Sequence, residues 1–405
     1  KRLAHRLRHL RQGLSWAALP RREALRLAQA AGIGGYPGIT PRVALLTQLA
    51  KEPHRRIAAG VPALEEVRLI RVQHTLPEIA TPEEPERGER AGVPEPSRIE
   101  SWLRTLTGFE NARVVGVEPL TDGLSNVTCR LKVTDGPVTT AVLRIQPTRG
   151  IFEPYDVLRE GRVLSHLAGA AVPVPGLLAA ESDPRFFGSP FLLLESIDAP
   201  HMPAPEADFA TFAADPAFAA AVAGIHALDW KAAGLDFLGV PSSPVEAFRG
   251  EVETVARRMH AFGCADEPLL NRALTRLRES TPSGGRLALC HGDPNPFNYL
   301  FRDQQLVGVV DWGQALISDP RSDVGQLVAL SHLRGAAPYG PPRENPFVQL
   351  YEASTGETLE SMELFRARWL FQLGVVYHGW KAYGTEPWFS WAQVEDLLPR
   401  SLAEL

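Results

Sequence analysis

Cysteine is scarce and badly placed for chemistry. The 405-residue chain holds three, Cys129, Cys264 and Cys290, an odd number spread far apart with no Cys-x-x-Cys pair. That argues against a disulfide framework or a cysteine-built zinc site and fits a reducing compartment, so a cytoplasmic location is expected. No apolar run approaches the roughly 18 residues of a membrane helix. The longest clean one lies near Phe218–Ile225, and no membrane partner is expected. Glycine (34) and proline (35) are too few and too aperiodic for a fibrous or low-complexity polymer.

Aspartate is absent from the first hundred residues, which carry 17 Lys+Arg against 11 Glu. The remainder then carries 42 − 17 = 25 basic against 47 − 11 = 36 acidic residues, so +6 sits beside −11 within the net −5. Lys1–Gln29 spaces Leu3, Leu7, Leu10 and Leu14 along one helical face among arginines. Organelle-targeting peptides share that composition, but a solvated helix, a fusion remnant or a mis-assigned upstream start is the expectation here. Because the basic excess is confined to this segment, no nucleic acid partner is expected. Pro77–Pro96 is rich in Pro and Glu, as linkers are. The boundaries follow: residues 1–97 as a basic, helical or disordered extension with its linker, 98–198 as a small lobe, and 199–405 as a larger helical lobe.

Ser97-Arg-Ile-Glu100 has the spacing of a capping box ahead of an apolar face formed by Trp102, Leu103 and Leu106. Strand-like runs follow at Val114–Leu120, Val127–Val133 and Thr139–Gln146, the last two joined by the turn pair Asp135-Gly136. A helix at Pro154–Gly169 and a strand at Pro190–Glu195 follow, and a five-strand antiparallel sheet carrying one helix is expected over 98–198. Beyond Ala204 the pattern is helical over Phe209–Leu228, Pro244–Phe262, Pro268–Glu279, Pro320–Leu333 and Leu359–Tyr383. One β interruption is expected, at Leu287–Val310. The fold class is therefore α+β.

Chemistry concentrates in that interruption. An apolar strand runs into His291-Gly292-Asp293, Asn298 follows five residues after Asp293, and a second apolar strand ends on Asp311-Trp312-Gly313. A hairpin turning at Arg302–Gln304 brings its ends together, so Asp293, Asn298 and Asp311 are expected at one edge. Oxygen donors of this kind suit Mg²⁺, which takes one or two carboxylates beside phosphate oxygens and water. In phosphoryl transfer, one carboxylate receives the proton of the attacking hydroxyl while an amide and a second carboxylate hold the metal on the nucleotide.

The ordered set His-Gly-Asp-x-x-x-x-Asn with a downstream Asp-x-Gly resembles the aminoglycoside phosphotransferase and choline-kinase-like family, over roughly residues 98–405. Gly123-Leu-Ser-Asn126, Leu143-Arg144, Arg159-Glu160, Val172-Pro-Val-Pro175 and Ile225-His226-Ala-Leu-Asp229 resemble in particular the phosphotransferase domains fused to acyl-CoA dehydrogenases. The resemblance implies a protein-kinase-like two-lobe fold, a small antiparallel sheet lobe over a larger helical one. It implies Asp293 as catalytic base, Asn298 and Asp311 as Mg²⁺ ligands, and Gly123, Ser125 and Asn126 as the loop over the phosphates of ATP or GTP. Glu195, in the stretch to Ile197, would lie at the hinge between lobes. Arg144 stands where the family has a strand lysine; it stays charged and binds phosphate through a fork in place of a point charge.

Glu160 follows from the residues themselves. Val157, Glu160, Leu164 and Leu167 share one helical face, and a carboxylate on an apolar stripe needs a partner. Arg144 on the neighbouring strand is the expected one. His291 is expected to brace its loop, His226 and Asp229 to pack and cap, Asp319 to cap a helix, and Asp323 to be a first-turn acid. Trp369, Trp380, Trp388 and Trp391, crowded into the last 37 residues, are expected to be helix packing. The expected activity is Mg²⁺-dependent transfer of a nucleotide γ-phosphate to a hydroxyl of a small molecule by a monomer or homodimer. A non-catalytic, kinase-shaped binding module is the alternative.

Overall fold

The computed structural model describes residues 93–120, 126–152, 155–200, 212 and 214–405. The expectations for the basic N-terminal segment and for Gly123 and Ser125 lie outside the described residues. Helix α1 (Pro96–Leu103) opens the described chain. It does not use the expected capping box. Pro96, at the first helical position, has φ already set and needs no N–H partner. That starts the helix two residues early, with Glu95 at the N-cap. Glu100 is released to accept the Val114 N–H at 3.0 Å and to pair with Arg104 at 2.7 Å.

Strands β1 (Arg113–Pro119), β2 (Val127–Thr134), β3 (Thr140–Ile145), β4 (Leu177–Glu181) and β5 (Phe191–Glu195) form one antiparallel sheet in the order β1-β2-β3-β5-β4. Period-two alternation separates two cores. Cys129, Leu131, Ala141, Leu143 and Leu193 pack with Ile99, Trp102 and Leu103 of α1. Leu192 and Leu194, on the opposite face, pack with helix α2 (Val157–Leu167). Arg144 lies on this second face. Asp156 caps α2 by accepting the Arg159 N–H at 2.9 Å. Gly161 lets α2 sit close on the sheet, since a Cβ there would come within 2.8 Å of Leu192.

The second core continues through α3 (Pro216–His226), α4 (Pro244–Ala261), α5 (Pro268–Glu279), α6 (Arg321–Leu333), α7 (Pro346–Thr355), α8 (Met362–Ala382) and α9 (Trp391–Leu402). A small antiparallel lobe and a larger helical lobe result, as the resemblance implied. α6 is buried on all sides and packs against α8. No helix among the described residues is long and apolar enough to cross a membrane.

Two short ladders interrupt the helices. β6 (Ala288–Cys290) pairs with β9 (Leu316–Ser318), and β7 (Tyr299–Arg302) pairs with β8 (Gln305–Val309). Asp303 and Gln304, at φ 50° and 64°, make the tight two-residue turn that suits the strand twist. The β6–β9 pairing sets Cys290 opposite Leu316, and the Val310 N–H donates to the Asn298 carbonyl at 2.9 Å. The loop after β6 and the segment after β8 therefore face each other at one edge.

Candidate active site

His291-Gly292-Asp293 leaves β6 in a tight turn. Gly292 adopts φ +79°, and a Cβ there would collide with the Gln314 carbonyl. Only glycine meets both demands. His291 is fully buried; its Nδ1 accepts the Asp293 N–H at 3.3 Å and its Nε2 reaches the Val310 carbonyl at 3.0 Å. Those partners fix the tautomer with the proton on Nε2 and tie one segment to the other. The expected bracing role fits these contacts.

Asp293 is held by side chains on both oxygens. Gln326 Nε2, from α6, donates to Oδ1 at 2.7 Å, and Asn298 Nδ2 approaches Oδ2 at 3.4 Å and the Asp293 carbonyl at 2.9 Å. Because Asn298 turns its nitrogen toward Asp293, its Oδ1 is the atom left for a cation. Burial, reinforced by the nearby Asp311 carboxylate, holds the Asp293 carboxyl above the ordinary carboxylate range; the hydrogen bonds from Gln326 and Asn298 draw it back.

Asp311 takes a left-handed backbone, φ 62°, and its Oδ1 accepts from Arg144 Nη2. Arg144 Nε simultaneously pairs with Glu160 at 2.8 Å, the partner that the stripe on α2 called for. With the Asn126 carboxamide oriented to satisfy its neighbours, its oxygen lies 3.0 Å from Arg144 Nε and 2.7 Å from Nη2. Burial works against the charge on Arg144, but Asp311 and Glu160 outweigh it and keep the guanidinium above its usual pKa. Burial raises the Glu160 carboxyl, with Arg144 opposing. One guanidinium thus joins the sheet, α2, Asn126 and the Asp311 segment.

Asp293, Asn298, Asp311, Arg144, Glu160 and Asn126 come together in this way. Glu195 ends β5 and is exposed; its backbone N–H and Oε2 are engaged with Gly176 at 2.8 and 3.2 Å. From there the chain crosses to the β7–β8 hairpin, where the Phe301 N–H donates to the Pro200 carbonyl at 3.0 Å.

Several residues matter more than their sequence context indicated. Asp323 is fully buried and accepts the main-chain N–H of His291 at 2.7 Å and of Gly292 at 3.0 Å, while His226 Nε2 lies 3.1 Å from the same carboxylate. His226 is positioned in turn by the Tyr351 hydroxyl at 2.8 Å. Asp323 is a brace for the His-Gly-Asp loop and more than a first-turn acid. Arg159 donates to the Gly313 carbonyl at 3.3 Å and to the Ala315 carbonyl, fastening α2 to the segment after Asp311. Pro320 and not Asp319 stands at the N-cap of α6; Asp319, one residue further out, accepts the Arg321 N–H at 3.0 Å and pairs with its guanidinium at 2.7 Å. Trp369 and Trp380 are buried packing residues, while exposed Trp388 lies under Arg334.

A sequence profile described as the phosphotransferase enzyme family matches residues 116–365, more than half of the chain. Mouse acyl-CoA dehydrogenase family member 10 is 24% identical over 330 residues; the match takes in 76% of this chain and 30% of that protein. Among solved structures, a candidate aminoglycoside phosphotransferase from Ralstonia eutropha superposes with a TM-score of 0.54 at 22% identity, covering 76% of this chain and 95% of the other. The GDP complex of aminoglycoside 2'-phosphotransferase-IIIa gives 0.50 at 18% identity, covering 77% and 99%. The solved structures repeat the fold, and the profile spans the sheet from Gly116 onward and the paired loops that carry Asp293 and Asp311. The chain belongs to the phosphotransferase enzyme family.

Proposed function

We propose that the protein transfers the terminal phosphoryl group of ATP or GTP to a hydroxyl of a small molecule. The observation that carries this reading is the convergence of Asp293, Asn298 and Asp311 on two facing segments, with Arg144 and Glu160 reaching them from the sheet. The donor atoms, two carboxylates and one amide oxygen, are hard oxygens that fit Mg²⁺, with Asn298 and Asp311 as its holders. When bound, Mg²⁺ supplies charge neutralisation on the phosphates. A relative of the same fold crystallised with GDP supports a nucleoside di- or triphosphate as the ligand of the cleft.

Within this reading Asp293 receives the proton of the acceptor hydroxyl, with one oxygen fixed by Gln326. Arg144 holds nucleotide phosphate through its guanidinium while Glu160 keeps it aimed. Asn126, with Gly123 and Ser125, covers the phosphates, and Glu195 lies at the hinge beside the base. Positioning and electrostatics supply nearly all the rate in such chemistry. The lobes are those of the two expected units, 98–198 and 199–405, and the protein acts as a monomer or homodimer in the cytoplasm.

Phosphorus NMR of the protein with Mg·ATP or Mg·GTP and pooled metabolite extract tests the proposal. A new phosphomonoester resonance is the expected result; nucleotide left intact in every pool contradicts it. The contact of Arg144 with Asp311 favours a second reading, a kinase-shaped module that binds nucleotide without turnover. Calorimetric binding of Mg·ATP with no ADP released across the same pools would select it.

A further inference from the structure

Away from Arg144, two further guanidiniums are buried close together in the helical lobe. Arg258 on α4 is 7% exposed and Arg368 on α8 is 6% exposed. Glu251, two turns before Arg258 on the same face of α4, is the carboxylate paired with Arg368, at 2.8 Å. Its capacity is largely taken: the Ser318 and Ser322 hydroxyls donate to its two oxygens. Among the described residues Arg258 has no carboxylate, and its Nε is buried without a hydrogen-bond partner; so are Arg368 Nε and Nη1. Arg368 therefore has the negative charge of Glu251 and Asp323 near it, while Arg258 has no carboxylate acting on it among the described residues.

Burial, with Arg368 adding like-charge repulsion, lowers Arg258 to about 10, so it remains cationic at neutral pH. A buried charge without a counter-charge is costly, and the usual compensation is an anion. Nothing inside the described protein supplies it. The donors left over, Arg258 Nε and Arg368 Nε and Nη1, are charged N–H groups of the kind that carboxylate or phosphate oxygens accept.

The place is not that of the nucleotide. None of Asn126, Arg144, Asn298 and Asp311 bonds to Arg258 or Arg368. The pair is instead flanked by β9, through Ser318 and Glu251, and by Tyr155 at the start of α2. From there Arg159 fastens to the segment following Asp311. We infer that Arg258 and Arg368 form an anion subsite that receives a carboxylate or phosphate group of the phosphoryl acceptor. The acceptor half of this inference rests on the phosphotransfer reading; the anion half does not.

Inorganic phosphate is the probe for the anion half, titrated by thermal shift against the full chain saturated with Mg·ADP. Wild type is expected to rise in Tm with phosphate. Arg258→Met, which keeps the aliphatic stem, is expected to lose that rise, with at least about a tenfold weaker apparent affinity, while Arg258→Lys keeps part of it. No rise in wild type, or an equal rise in Arg258→Met, overturns the subsite. For the acceptor half, metabolite extract is split by anion exchange and incubated with γ-labelled ATP or GTP. Label is expected in products of the anionic fraction and is expected to fall in Arg258→Met. Label confined to neutral and cationic fractions overturns the acceptor assignment, and no label in any fraction counts against phosphotransfer itself, leaving the phosphate titration to decide the subsite.

Discussion

Asp323 accepts the main-chain N–H of His291 at 2.7 Å from a fully buried position on α6. A helix that is itself enclosed by the lobe thereby dictates the path of the loop that carries Asp293. Asp323→Ala strands two buried N–H groups and leaves His226 without its acid. A stability loss of about 3 kcal/mol or more is expected by chemical denaturation. A loss below about 1 kcal/mol would contradict the bracing role.

Arg144 and Glu160 bind across the sheet–helix boundary with both side chains nearly inaccessible. Arg144→Met leaves Glu160 buried without its counter-charge and is expected to cost about 3 kcal/mol. Adding Glu160→Leu should return most of that stability, because the orphaned charge goes with it. A double-mutant cycle measures the coupling; simple additivity of the two losses would show that the pair is not a unit.

Gln326 donates to Asp293 Oδ1 while its own Oε1 is buried without a partner. Gln326→Leu removes a hydrogen bond to a charged group. Turnover should fall by roughly 30-fold, or about 2 kcal/mol, with nucleotide KM little changed. Steady-state nucleotide hydrolysis gives both numbers. A rise in KM at constant kcat would move Gln326 from positioning the carboxylate to binding the nucleotide.

His332, near the end of α6, is held neutral by burial, which lowers its pKa to about 4. The unfolded chain protonates this histidine near its ordinary 6.5, so below that pH the unfolded state binds more protons than the folded one. Its contribution to stability is complete above pH 6.5, falls as pH drops toward 4, and changes no further below. The slope is at most about 1.4 kcal/mol per pH unit. Comparison of wild type with His332→Gln by denaturation across this window should show a flatter acid limb in the variant; identical limbs would contradict the assignment.

Much of this architecture was legible because the chain repeats its message at several levels. Turn pairs, caps and period-two alternation located four of the sheet's strands within a residue or so, and β7–β8 declared itself through its turn. The Glu160–Arg144 pair followed from one carboxylate on an apolar stripe. The strand at Leu177–Glu181 went unplaced because five residues of mostly Leu and Ala carry no period to distinguish strand from loop. Leu316–Ser318 is shorter still, and exists through its pairing with β6. The capping box failed because the proline ahead of Ser97 moved the helix start. Asp323 was underread and Gln326 went unread for another reason. Their partners lie about thirty residues upstream, and on a helix buried on every side no face stands out as the functional one.

Asp293→Asn tests the central assignment most directly. The substitution preserves shape and removes the proton acceptor. Turnover of Mg·ATP or Mg·GTP should fall between about 100- and 10,000-fold, while calorimetric affinity for the nucleotide stays within about twofold of wild type. Full turnover in this variant would contradict the account, and so would loss of nucleotide affinity equal to the loss of turnover.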